Sequence, residues 1–398
     1  MQKRTALNLE TITPSMTLAI TAKSKQLRAE GKDVIGFGAG EPDFNTPEAI
    51  KQAGIQAIND NVTRYVEVNG IMSLREKIVR KFKEENGLDY SVKNIIVNSG
   101  AKHSLYLALC AVLNPGEEVI IPVPYWVSYP EMVKIAGGSP VYVDTTPESG
   151  FKLTLDNLKS ALSPKTKAIM LNSPSNPTGS VYTKEELQVV ADFAVEHDLL
   201  VISDEIYESI IYGDVKHYSI AALNDDIKKN TITINGLSKT YAMTGWRIGY
   251  TAAEEDIIKA MGSIQGHTVS HPASFAQKGA EAAFTLDKGI VEDMVRQYDE
   301  RRQFMMDYID QNIPLLSYIM PDGAFYLYVD ISKTFGKTCN GVKINSALDF
   351  ATALLENYLV AVIPGEGFGT KEFMRLSYAT SLEKIEEGLR RIKAFTEQ

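Results

Sequence analysis

Five short apolar runs alternate with helix-periodic stretches through the middle of this 398-residue chain, and that alternation limits its possible folds more than any other feature. The runs lie at Asn94–Asn98, Glu118–Pro122, Ala168–Leu171, Leu199–Ser203 and Thr231–Asn235. They are apolar at successive positions, so strands built from them must be covered on both faces. Between and before them, Ser73–Glu85 spaces Leu74, Ile78, Val79 and Phe82 at helical intervals. A second helix opens at Lys102 and carries Leu105, Leu107, Leu109 and Val112, and a third covers Glu185–Glu196. Buried strands joined by helices predict an α/β fold around a mostly parallel sheet.

The C-terminal third changes character. Val291–Tyr308 reads as a long charged helix, and Ala324–Val329 alternates like an antiparallel strand. Ser346–Asn357 is helical, Val360–Ile363 and Phe373–Tyr378 read as strands, and a last helix starts at Leu382. This block predicts a smaller α+β domain, joined by the N-terminal segment, with Pro42 and Pro47 marking the crossing. The expected division is 1–47 for the N-terminal arm and part of the small domain, 48–294 for the large domain and 295–398 for the rest of the small one. A net charge of −9 argues against a nucleic-acid footprint. Cys110 and Cys339 lack the spacing of a zinc site or a disulfide framework, so no metal is expected. No apolar run approaches a membrane span, and Met1–Ile20, broken by Glu10 and Pro14, lacks a signal-peptide core. The expectation is a cytoplasmic protein.

Ligands of an open parallel sheet collect at the carboxyl ends of its strands. Just past the last run, residues 236–249 read Gly-Leu-Ser-Lys-Thr-Tyr-Ala-Met-Thr-Gly-Trp-Arg-Ile-Gly. Lys239 is a lysine among small residues, and burial near other cations makes such an amine nucleophilic toward aldehydes. Ser238 and Arg247 offer a hydroxyl and a charged fork, the groups a phosphate takes. An amine beside a phosphate clamp suits pyridoxal phosphate, although a lone lysine after a strand is ordinarily a solvated loop residue. Gly100-Ala101-Lys102 opens a helix and makes an anion seat, or only a tight turn. Asn172-Ser173-Pro174-Ser175-Asn176-Pro177-Thr178-Gly179 is a turn with structural as well as catalytic readings. Asp204 ends another run, where it caps a helix or faces a ligand, with Tyr207 three residues on. Arg375 sits inside the apolar strand Phe373–Tyr378 and should be buried against an anion.

Together with Gly38-Ala39-Gly40-Glu41-Pro42-Asp43-Phe44, these ordered motifs resemble the class I, fold-type-I pyridoxal-phosphate aminotransferases along essentially the whole chain. The resemblance implies a seven-stranded sheet in the large domain and pyridoxal 5'-phosphate as cofactor. It implies that Lys239 bonds the cofactor aldehyde and later shuttles a proton. Asp204 pairs with the pyridine nitrogen, Tyr207 and Asn176 with the ring oxygen, and Trp126 stacks on the ring. Ser238, Arg247 and the Gly100-Ala101-Lys102 turn hold the phosphate, reached also by Tyr65 of a neighbouring subunit, which implies a homodimer with shared sites. Arg375 takes the substrate α-carboxylate, helped by Asn176 and the backbone at Gly40.

The blocks around Lys239 and Trp126 look most like bacterial aspartate aminotransferases. There a lysine at the position of Lys102, helped by a serine matching Ser15, reads the second carboxylate. The resemblance therefore implies ping-pong transfer from aspartate to 2-oxoglutarate. Other readings on the same fold are an aromatic or other class I aminotransferase and a carbon–sulfur β-lyase. Two departures stand out. Relatives that accept prephenate carry a basic residue near Thr13, absent here, and Tyr65-Val66-Glu67 replaces the more usual Tyr-x-Pro.

Overall fold

Seven strands form the larger sheet of the computed structural model, which describes residues 12–13, 16–339 and 341–397. They are β1 (Ile95–Asn98), β2 (Glu118–Val123), β3 (Ser139–Asp144), β4 (Thr166–Asn172), β5 (Leu200–Asp204), β6 (Thr231–Gly236) and β7 (Gly249–Ala252). Their order is β1-β7-β6-β5-β4-β2-β3. The pairs from β3 across to β6 are parallel, and β7 runs antiparallel between β6 and β1.

Successive residues of each strand enter different cores, which is why the runs are apolar throughout. Ile96, Ile121, Met170 and Ile202 pack with Leu105 and Leu109 of the helix Ala101–Val112. Ile120, Ile169, Leu171 and Val201 pack with Leu187, Val190 and Ala194 of the helix Lys184–Glu196. Each such fully buried side chain contributes roughly 1.5–3 kcal/mol. Thr183 starts the second helix with a capping box, its side chain accepting from Glu186 N while Glu186 accepts from Thr183 N.

Apolar continuity marks five of the seven strands. The strand β3 lies at the sheet edge, carries Pro140 at its second position and exposes Ser139 and Asp144, so it needs no continuous apolar run. The four-residue β7 is wholly buried but built of Gly249, Tyr250, Thr251 and Ala252. A Cβ on Gly249 would stand 2.4 Å from the Ala101 nitrogen, so this strand must begin with glycine.

A four-stranded antiparallel sheet, ordered β10-β11-β9-β8, contains β8 (Ser317–Ile319), β9 (Tyr326–Asp330), β10 (Ile363–Pro364) and β11 (Phe373–Ser377). Helices Lys288–Asn312 and Leu382–Thr396 pack over it through Met305, Ile309, Leu389 and Ile392. The strand expected at Val360–Ile363 divides. Val360–Ala361 pairs in parallel with Ile35–Gly36, whereas Ile363–Pro364 joins β11. Ser377 N donates to Phe37 O at 2.8 Å, which brings residues 35–40 alongside Arg375. Among the described residues no helix is long and apolar enough to cross a membrane.

Candidate active site

Strand register places the chemically pointed residues level with one another. Asn172 pairs with Asp204, Asp204 with Ile234, Gly236 with Gly249 and Gly249 with Asn98. The carboxyl ends of β1, β4, β5 and β6 therefore share one edge with the start of β7. A cavity of about 640 Å³ opens there and extends to residues 36–41 and Arg375. Lys25, Arg28, Lys102, Lys239, Arg247 and Arg375 line it against Glu41 and Asp204, so the cavity is positive within an acidic chain.

Lys239 follows β6 by three residues, and its Nζ donates to Gly40 O at 2.6 Å. Burial pushes its pKa down to about 8, opposed by Glu41 and assisted by Arg375 and Arg247. An amine so placed is neutral for an appreciable fraction of the time near neutral pH. Asp204 is buried at the end of β5, and burial raises its carboxyl to about 6 despite hydrogen bonds from Tyr129 OH at 2.8 Å and Ile206 N at 3.3 Å. Tyr129 escaped the sequence reading. Its signal was its place three residues after Trp126, whose ring it meets edge-on at 5.3 Å.

The helix Ala101–Val112 points its N-terminus into the cavity, so its first N–H groups lack intrahelical acceptors. Gly100 holds φ at 84°, and a Cβ there would lie 2.5 Å from Arg247 Nη2. Arg247 is steadied by its own backbone neighbourhood, donating to Thr244 O at 2.8 Å and Ser99 O at 3.4 Å. Ser238 lines the same corner. Lys102 extends its Nζ over the Trp126 ring at 4.8 Å from the centroid, and burial followed by Arg247 lowers its pKa.

From the smaller sheet, Arg375 enters almost fully buried. Its Nη1 donates to Asn176 Oδ1 at 2.8 Å and its Nη2 to Gly38 O at 3.1 Å, while its Nε has no hydrogen-bond partner among the described residues. No carboxylate pairs with it among the described residues. The anion expected from its burial is therefore no group among the described residues. Gly40, expected to help seat the α-carboxylate through its backbone, lines the cavity and gives its carbonyl to Lys239. Tyr207 is buried and lines the cavity, with its hydroxyl 2.9 Å from that of Tyr326. The cavity thus gathers Gly40, Ala101, Lys102, Trp126, Asn176, Asp204, Tyr207, Ser238, Lys239, Arg247 and Arg375, with Gly100 immediately behind it. Tyr65 stands apart: it is 89% exposed, outside the cavity of its own chain, with its ring against His271 at 5.7 Å. Ser15 lies outside the described residues.

A desolvated amine, an anion-binding helix end and an unpaired buried guanidinium in one cleft define an enzyme that handles an anionic substrate at a reactive nitrogen. The family described as aminotransferase class I and II matches residues 32–392. An aspartate aminotransferase of Bacillus subtilis is 49% identical, with 99% of both chains covered. A probable aspartate/prephenate aminotransferase of Aquifex aeolicus is 45% identical over the full length of both. The crystal structure of the Rhizobium meliloti aspartate aminotransferase superimposes with a TM-score of 0.96, at 39% identity and 99% coverage of each chain. The chain belongs to the class I and II aminotransferases.

Proposed function

We propose that this aminotransferase moves the amino group of L-aspartate to 2-oxoglutarate, giving oxaloacetate and L-glutamate in ping-pong fashion, with pyridoxal 5'-phosphate held in the cavity. The residues present fit that group. Glycine at 100 leaves room beside Arg247 that a Cβ would fill, and glycine at 249 lets the backbone of Gly100 and Ala101 approach closely. Ser238, Arg247 and the amides of Ala101 and Lys102, in the turn that Gly100 opens, would hold the phosphate, Trp126 would cover one ring face, and Asp204 would meet the ring nitrogen. Tyr207 and Asn176 would meet the ring oxygen, and Lys239 would carry the bond to the aldehyde.

When bound, the cofactor supplies an electron sink for the substrate α-carbon. Asp204, steadied by Tyr129, would hold the ring nitrogen, since a cation there would offset the burial of its carboxylate. Arg375 orients the α-carboxylate through its fork, with Asn176 holding the guanidinium from the side. Once substrate has released it, Lys239, lowered to about 8, would take and return the proton at the substrate α-carbon. Lys102, with Ser15, would face the distal carboxylate, since a dicarboxylate calls for a second cation.

The same proposal includes a cytoplasmic homodimer and the division into 48–294 and a smaller domain of 1–47 with 295–398. Exposed Tyr65, with no task in its own cavity, supports a role in a second copy's site. The dimer is checked by light scattering, which should return twice the 44.0 kDa of one chain.

The observation that carries the reading is a desolvated lysine and a buried arginine with no carboxylate partner among the described residues, in one cavity. A coupled assay tests it: the loaded protein should release oxaloacetate from aspartate and 2-oxoglutarate. Pyruvate and ammonia from cystathionine, with no oxaloacetate, would replace it with the β-lyase reading.

A further inference from the structure

Tyr326 holds none of the roles described so far, and it does not line the cavity. It is fully buried on β9, where it pairs with Ser377 of β11. Its hydroxyl lies 2.9 Å from that of Tyr207. Its ring faces Arg375, whose guanidinium carbon is 4.3 Å from the ring centroid. One side chain therefore touches the tyrosine at the proposed ring oxygen and the arginine at the proposed α-carboxylate seat.

We propose that Tyr326 is a positioning residue that couples carboxylate capture at Arg375 to the hydrogen bond that Tyr207 offers the cofactor. The inference rests on the pyridoxal phosphate reading of the cavity. A phenol carries a single proton and two acceptor lone pairs. If Tyr207 turns its proton into the cavity, Tyr326 must donate to Tyr207, and such a chain strengthens the outer hydrogen bond by polarising it. The unpaired charge of Arg375 over the Tyr326 ring makes that phenol a better donor. A carboxylate seated on Arg375 offsets the charge, weakens the chain and leaves the ring oxygen less supported. The cofactor then holds its proton more tightly. The other charged groups facing Tyr207 and Lys239 are Asp204 at the end of β5, Glu41 on the N-terminal segment and Arg247 before β7. None of them is altered by the substitution that tests the coupling.

The test is a spectral titration of the holoenzyme with and without saturating maleate, a four-carbon dicarboxylate, in the wild type and in Tyr326→Phe. The pH midpoint of the visible cofactor band should rise with maleate in the wild type. In Tyr326→Phe the midpoint without maleate should already be higher by about 0.5–1 pH unit, and maleate should move it less than half as far. Tyr207→Phe and the double variant should show the same reduced maleate shift, because either change breaks one chain. Tyr326→Leu, which lacks the hydroxyl and the ring, should show the same reduced maleate shift and keeps the test decisive if Tyr326→Phe folds poorly. Equal midpoints and equal maleate shifts in wild type and variants would overturn the coupling, as would a wild-type midpoint that maleate leaves unmoved. A wild-type protein that shows no visible band after loading would instead overturn the cofactor reading beneath it.

Discussion

Two buried charges, one at the end of the larger sheet and one inside the smaller, are treated differently by the protein. Asp204 receives hydrogen bonds from Tyr129 and from the Ile206 amide. Arg375 is as deeply buried, yet among the described residues it donates only to an amide oxygen and a backbone carbonyl, lies over the Tyr326 and Phe368 rings, and leaves its Nε unpartnered. Leaving a buried charge unpaired is destabilising, so its persistence points to a ligand that supplies the missing anion. The contrast matches a resident group at the larger sheet and an exchanging substrate at the smaller. A permanent occupant is served by a site that closes its own hydrogen bonds, whereas a transient one needs a charge left open.

The most severe way to break this picture is at the residue that serves both occupants. Lys239→Ala should lower transamination by roughly 10⁴-fold while the protein stays folded, read by turnover and by thermal melting. Wild-type turnover in that variant would remove Lys239 from the chemistry. Arg375→Ala tests the exchanging side. It should reduce kcat/KM for aspartate by about 3–5 kcal/mol, or roughly 10²–10⁴-fold, with the cofactor still retained. Unaltered kinetics would mean that the open charge is not the carboxylate seat.

Smaller effects sharpen the resident side. Asp204 has a folded pKa of about 6 against an ordinary 3.8, so the native cofactor-free protein binds the extra proton between those values. Its contribution favours folding below about pH 4 and is lost as the pH rises to about 6, a change on the order of 3 kcal/mol. Asp204→Asn does not titrate, so the cofactor-free variant should gain on the wild type between pH 4 and pH 7 in urea unfolding. A difference that stays constant across that interval would show that the carboxyl is not strained by burial. Tyr129→Phe removes one hydrogen bond from the same carboxylate and should weaken pyridoxal phosphate retention by about 10-fold. Retention equal to the wild type would reduce Tyr129 to a packing residue.

Much of the larger sheet was legible because its requirements are local. A strand covered on both faces must be apolar at every position, and the five central runs declare that directly. The strands β3 and β7 were silent, since an edge strand needs no second apolar face and small residues suffice where backbones approach closely. Residues at strand ends were legible for a related reason. Lys239, Asp204 and Asn176 each follow an apolar run by a few positions, so the topology carries them to one edge whatever the rest of the chain does.

The amino-acid order alone therefore determined the alternation of strand and helix, and with it a lysine, a carboxylate and a helix start beside one another. Only the tertiary structure decided what each charge faces. Tyr129 reaches Asp204 across 75 positions, Tyr326 reaches Tyr207 across 119, and Arg375 reaches Asn176 across 199. Such contacts depend on how two sheets are set against each other, and a protonation state depends on solvent exclusion by both. Neither is a property of a run of residues, because burial and its electrostatic consequences exist only once distant segments have closed over the site.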